Sequence, residues 1–185
     1  MAGKRLSSNL PPIRSIKALA ATLGINQDLL VDVADRSGEF WLPGSRLTKK
    51  TGEVRQTSSA KPELKRIHTS INRAILRKFQ YPDYLHGSIH DPGKTRSVAS
   101  NAAVHEGARI LIEEDIADFF PGISHGIVRD IWLRCFHFSE DVAALLTSLT
   151  TYQESLPQGW APSSYLANLA FWDNEPWVVN QLHRM

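Results

Sequence analysis

Apolar positions recur at helical spacing in several stretches, separated by segments with other patterns. Ile13, Ile16, Leu19, Ala20 and Leu23 follow Pro11-Pro12 and precede Gly24, which predicts a helix that stops at the glycine. A second short helix is predicted over 27–34. Leu64, Ile67, Ile71, Ala74 and Ile75 form one stripe and predict a single helix over 62–79. Further helices are predicted from Ser97, over 125–136, over 140–150 with Ser139 as its cap, and from Ser163 or Ser164 through Leu166, Leu169 and Ala170.

Strand patterns are fewer. Leu47 and Val54 flank Thr51-Gly52, as the arms of a hairpin flank its turn. Arg109-Ile110-Leu111-Ile112 predicts a buried strand that runs into Glu113-Glu114-Asp115. On such a strand Glu113 and Asp115 share one face and Glu114 takes the other. The fold class expected is therefore α+β, and no internal repeat is visible.

Size and composition narrow the classes. The chain has 185 residues, 42% apolar and 22% charged, enough for one medium domain and unlike a collagen or a disordered linker. No apolar run is long enough to span a bilayer, and residues 1–9 lack the apolar stretch of a secretory signal. Cys135 is the only cysteine, which excludes an intrachain disulfide. A cytoplasmic location without membrane contact is the expectation.

The net charge of +2 conceals an asymmetry. Residues 1–80 carry fifteen Lys/Arg against six Asp/Glu, and residues 81–185 carry six against thirteen, so the halves stand at +9 and −7. A polyanion on one half and a cation on the other would suit this split; plain solvated surface would produce it too.

Candidate chemistry falls in four places. Lys49, Lys50 and Arg55 flank the hairpin tip, where they read either as a phosphate clamp or as a charged solvent hairpin. Arg66, Arg73 and Arg77 fall within about 40° of one another on an ideal helix, opposite the apolar stripe, as a row able to neutralise phosphates or as ordinary exposed helix formers. Asp115, at the end of an apolar strand, suits Mg²⁺, which takes one or two carboxylates plus substrate phosphates; a solvated strand end is the plainer alternative. Leu156-Pro157-Gln158-Gly159-Trp160 reads as a rigid turn exposing one amide ahead of a helix.

The segments Asp115-Ile116-Ala117-Asp118-Phe119-Phe120-Pro121 and Leu156-Pro157-Gln158-Gly159-Trp160-Ala161-Pro162-Ser163-Ser164-Tyr165-Leu166-Ala167-Asn168-Leu169, in that order, strongly resemble two core motifs of reverse transcriptases of the bacterial retron and group II intron type. Lys50 to Arg55 resembles the fingers hairpin of that family, and Ser97, Asn101-Ala102 and His105 resemble its next segment. The resemblance implies right-hand polymerase fingers and an incomplete palm. It divides the chain into a small N-terminal helical extension (1–38), a fingers-like region (39–108) and a partial palm (109–185). It implies an RNA-directed DNA polymerase that adds deoxynucleotides with two Mg²⁺ ions, and these partners: an RNA template, a DNA primer, deoxynucleoside triphosphates and a cognate structured RNA. Asp115 would be the catalytic carboxylate on both ions, with the Ile116 backbone carbonyl as a further ligand. Lys50 and Arg55 would contact the triphosphate, Phe120 would occupy the space of a ribose 2′-hydroxyl, and Gln158 would lie beside the incoming nucleotide. Relatives of this type serve in antiviral defence or in mobile introns.

The sequence departs from the family in one respect. The later Tyr-x-Asp-Asp turn is absent from these 185 residues. The expectation is a chain inactive alone: a fragment, the product of a truncated gene, or one piece of a split enzyme whose missing palm and thumb segment comes in trans. The alternative is a non-catalytic nucleic-acid-binding remnant.

Overall fold

The computed structural model describes residues 5–48, 52, 54–91, 93–182 and 184, and within the hairpin it describes the side chains of 41–44 and 58–60. Helices predominate. α1 (Ile16–Leu23) begins where the Ser15 hydroxyl accepts the Ala18 N–H and ends at Gly24, whose φ of 65° is the left-handed cap that glycine adopts without strain. α2 (Gln27–Asp35) starts at Asn26, whose side chain accepts the Leu29 N–H. A short 3₁₀ turn then leads into β1 (Trp41–Thr48).

β1 pairs antiparallel with β2 (Val54–Ala60), from Trp41 opposite Ala60 to Thr48 opposite Val54, with an irregularity between Pro43 and Arg46. The hairpin is as the sequence predicts, with Gly52 at a φ of 85° between the arms. Among the described residues these are the only two strands, so the molecule is α+β with a single small sheet.

α3 (Pro62–Ala74) follows, with Pro62 in its first turn. The predicted helix over 62–79 is corrected here. It ends at Ala74, and Leu76–Lys78 form a 3₁₀ turn. Ile75 and Leu76 are both buried, yet they would point about 100° apart on a continuous helix; rewinding takes both into the core. Arg77 consequently leaves the row that Arg66 and Arg73 still share.

α4 (Val98–Val104) has a capping box between Ser97 and Ser100. The buried strand expected at 109–112 does not form. Residues 108–116 have no regular structure, and Ile110, Leu111 and Ile112 are 81%, 64% and 79% exposed. A strand needs a neighbour for its backbone groups and a layer for its apolar face, and no described element supplies either. The two-faced arrangement of Glu113, Glu114 and Asp115 goes with it.

α5 (Phe119–Gly122) is a single turn. α6 (His125–Asp130) runs into a π-helical turn over Ile131–Cys135, which carries Ile131, Trp132 and Cys135 into the core. α7 (Glu140–Thr150) has the predicted bounds, but Ser139 does not cap a backbone N–H; its hydroxyl donates to Asp141 instead. α8 (Ser163–Ala167) is shorter than expected and has Pro162, not a serine, at its N-cap. α9 is Glu175–Leu182.

α1 and α2 pack on α3 and α7 and share one hydrophobic core with the rest. The N-terminal segment is strapped down as well. Leu6 N–H donates to the Trp172 carbonyl at 3.0 Å and Ser8 N–H to the Cys135 carbonyl at 2.8 Å. The Cys135 thiol is buried, and burial pushes its pKa up to about 12.

Candidate functional site

The two segments that carry the strongest family resemblance are far apart in sequence and adjacent in space. Asp118 takes a left-handed φ of 49°, and its carbonyl accepts the Gly122 N–H at 2.9 Å to close α5. This turn brings Phe119 and Phe120 edge to face at 5.9 Å, and Phe119 stacks on Phe171 at 6.0 Å. Phe120 then faces α8 across a pocket of about 210 Å³ lined also by Gly87, Ser88, Ser164, Ala167 and Asn168. The Asn168 amide fixes the far wall by donating to the Gly87 carbonyl at 2.8 Å and the Ser164 carbonyl at 2.7 Å. His90 N–H donates to the Tyr165 hydroxyl at 3.2 Å, a second tie between that loop and α8.

A larger pocket lies on the other side of the Gln158 turn. Gly159 has a φ of 88°, which lets the chain reverse ahead of Trp160. Trp160 Nε1 donates to the Ser58 hydroxyl at 3.0 Å, and its ring meets Trp41 edge-on at 4.5 Å. Asn72 on α3 donates to the Ala161 carbonyl at 2.5 Å. These contacts fasten the turn to both hairpin and helix. Between them opens a cavity of about 380 Å³ lined by Ser58, Lys65, His68, Thr69, Gly159 and Trp160. Gln158 is exposed beside it in sequence.

His68 is the buried polar group of this region. Nε2 donates to the Leu149 carbonyl at 2.6 Å, so Nε2 carries the proton, and Nδ1 is buried without a partner. Burial lowers its pKa to about 4, which leaves the ring neutral at physiological pH. It meets the Trp160 ring edge-on at 5.5 Å.

The remaining predicted residues lie elsewhere. Asp115 is exposed in the irregular stretch, and Ile116 is 54% exposed. Among the described residues no group of three or more His, Cys, Asp or Glu side chains could hold a metal ion. Asp115 and the Ile116 carbonyl amount to one carboxylate and one backbone oxygen, and among the described residues no further acidic side chains join them in a group of three. Arg55 stands on β2 opposite Leu47. Lys50 lies outside the described residues. Arg66 and Arg73 are exposed on α3, and Arg77 is exposed on the turn beyond it.

Arg96 was not singled out by sequence. Its side chain is only 4% exposed, against 27% for its partner Asp91. Nε and Nη2 donate to one Asp91 oxygen at 3.2 and 3.0 Å, Nη2 to the Tyr81 carbonyl at 2.9 Å, and Nη1 to the carbonyls of Pro82, at 2.7 Å, and Leu85. The guanidinium thus staples the loop that supplies Gly87 and Ser88 to the Phe120 pocket. The available signal was an arginine closing a Pro- and Gly-rich loop that holds an aspartate five residues earlier.

No protein-family model matches the chain. Curated relatives do. The chain is 37% identical over 177 residues to the Retron Se72 reverse transcriptase of Salmonella heidelberg, which covers 96% of this chain and 46% of that protein. It is 26% identical to the Retron Ec48 reverse transcriptase of Escherichia coli, across 98% of this chain and 46% of the relative. It is 30% identical to the Retron Mx65 reverse transcriptase of Myxococcus xanthus, across 80% of this chain and 34% of the relative. The chain spans about half the length of the curated relatives it matches most extensively. The two segments that resemble polymerase motifs line one pocket, and along nearly its whole length this chain is homologous to proteins named retron reverse transcriptases.

Proposed function

We propose that the chain provides the fingers and part of the palm of an RNA-directed DNA polymerase, with 39–108 as fingers and 109–185 as partial palm. The observation that carries this reading is the 37% identity to a retron reverse transcriptase across 96% of the chain. Its partners are an RNA template, a DNA primer and deoxynucleoside triphosphates. In this reading Phe120 and α8 form the wall against the nucleotide sugar. The 210 Å³ pocket supports it, because a ring held by Phe119 and facing Asn168 leaves little room for a 2′-hydroxyl. Gln158 stands beside the nucleotide on a turn held by Trp160, and Lys50 and Arg55 are assigned to the triphosphate by the family resemblance. Arg66 and Arg73 neutralise polynucleotide backbone from the outer face of α3.

Asp115 and the Ile116 carbonyl are this chain's own contribution toward Mg²⁺. Completing an ion site requires carboxylates from a further segment. The exposure of residues 109–116 favours a second reading for the chain acting alone: a polynucleotide-binding module without chemistry.

The test is a chimera that joins this chain to the unmatched remainder of the Salmonella relative. Primer extension on an RNA template is expected from it. Asp115→Asn should reduce extension by a hundredfold or more without loss of folding. Phe120→Ala should raise ribonucleotide incorporation relative to deoxynucleotide, since the 2′-hydroxyl is the group that tells the sugars apart. Normal extension with Asn at position 115 would overturn the assignment.

A further inference from the structure

A further cavity, of about 460 Å³, is not at either motif. It lies beyond the end of α3, between the 3₁₀ turn Leu76–Lys78 and the loop closed by Arg96. Its charges are of two kinds. Asp91 is neutralised by two donors of Arg96 and by the Gly93 N–H at 3.1 Å, and Asp83 is paired with Lys94. The Arg96 hydrogen bonds hold its carboxylate partner below the usual range, so that pair stays ionised and internally balanced. Arg77 and Lys78 are different. Both are exposed and line the cavity, and neither has an ion-pair partner among the described residues.

The rewinding at Ile75 creates this arrangement. On a continuous helix Arg77 would join Arg66 and Arg73; on the 3₁₀ turn it stands next to Lys78 over the cavity. Leu76, between Ile75 and Arg77, is fully buried and anchors the turn. Two adjacent uncompensated cations on a rigid turn, over a polar floor whose acids are already matched, suit a ligand with closely spaced negative charges. Successive phosphates of a polynucleotide have that spacing and a continuous backbone.

We propose that this cleft is a separate phosphate-backbone site for RNA, in which Arg77 and Lys78 engage phosphodiesters of a structured RNA segment away from the Phe120 and Gln158 pockets. It rests on the reading of the chain as a polynucleotide-binding protein and adds to it a second contact surface. Of the rings that line the cleft Phe79 and Tyr81 are both buried and offer no platform to a base, and the exposed one is the small imidazole of His90, so the adjacent cations favour backbone over free nucleotide.

The experiment is a fluorescence-anisotropy titration of the 185-residue chain with an RNA hairpin of about 20 nucleotides, from about 50 to 200 mM salt. Arg77→Ala/Lys78→Ala should weaken binding and flatten the log–log salt slope by roughly 1.5 to 2, with an unchanged thermal midpoint. Arg77→Gln/Lys78→Gln, which retains side-chain length, should do the same and serves if the alanine pair unfolds. The Arg66→Ala/Arg73→Ala pair should flatten the slope independently. An unchanged slope in the cleft variants, with a flattened one in the α3 variants, would overturn the cleft and leave the polynucleotide reading standing. No binding by the parent chain would overturn both. Parallel titration with a nucleoside triphosphate separates the sources: cleft variants that lose the triphosphate but keep the RNA would mean a nucleotide site and would refute this one.

Discussion

His68 shows what one buried side chain does to the whole chain's response to pH. Its ordinary pKa near 6.5 falls to about 4 on folding, because burial disfavours the charged ring more than the Leu149 hydrogen bond helps it. Between those values the unfolded chain takes up a proton that the folded chain refuses. Stability from this group is therefore complete above about pH 6.5 and is lost as the pH falls toward 4, by roughly 3 kcal/mol at the lower end. Urea unfolding at pH 7 and pH 5 checks this. His68→Gln, which keeps an amide donor for the Leu149 carbonyl, should reduce the difference between the two pH values. An equal difference in parent and variant would show that His68 is not the source. The sequence did not reveal this residue, since a histidine within an apolar stripe looks the same whether it faces the core or the rim. Phe120 and Gln158 were legible because they sit in dense motifs. What their spacing could not show is that α5 and α8 meet, which depends on a left-handed Asp118 and on Asn168 reaching the Gly87 carbonyl.

Elements whose cause is local were legible; those whose cause is a neighbour were not. α1 stops at the Gly24 that ends its apolar stripe, and α7 has the bounds its pattern predicts. Residues 110–112 are apolar and two of the three are β-branched, yet they form no strand and stay exposed because no described strand pairs with them. The break after Ala74 arises because Ile75 and Leu76 are both wanted by the core, a demand invisible in a single helical stripe. The Arg96 loop is the least legible element and the easiest to test. Arg96→Ala should cost about 3 kcal/mol or more, since it strips several buried carbonyls and a carboxylate of their donor. Arg96→Lys should recover only part of that, because an ammonium lacks the planar fork that reaches three carbonyls and Asp91 together. Arg129→Ala, which removes an exposed pair with Glu140, should change stability by less than about 1 kcal/mol. Hydrogen exchange resolves the mechanism: amides of 85–91 should lose protection first in the Arg96 variants. Loss confined to distant helices would place the role of Arg96 outside this loop.

At the scale of the molecule, one core unites the N-terminal helices, α3, α7 and α8, while the acid-rich segment 109–118 stays outside it. Catalysis of nucleotide transfer through divalent ions requires several carboxylates converging within a few ångströms, and the reacting ends must be held in line. Asp115 lies in an exposed stretch with no regular backbone structure, so neither its position nor that of Glu113 or Glu114 is set by packing. Lost positioning alone is worth many orders of magnitude in rate. The purified 185-residue chain is therefore expected not to extend a DNA primer on an RNA template with Mg²⁺ and all four deoxynucleotides. The comparison is an Asp115→Asn control in the same assay. Product above that control would mean that the chain assembles a complete site by itself. Adding the unmatched remainder of the Salmonella relative as a separate polypeptide provides the second arm. Extension restored in trans, and lost again with Asp115→Asn, would show that the fold described here is a competent half waiting for its sheet. Silence in trans alongside tight, salt-sensitive RNA binding would instead favour the module without chemistry, because the binding surfaces on α3 and at its end would then work without a catalytic partner.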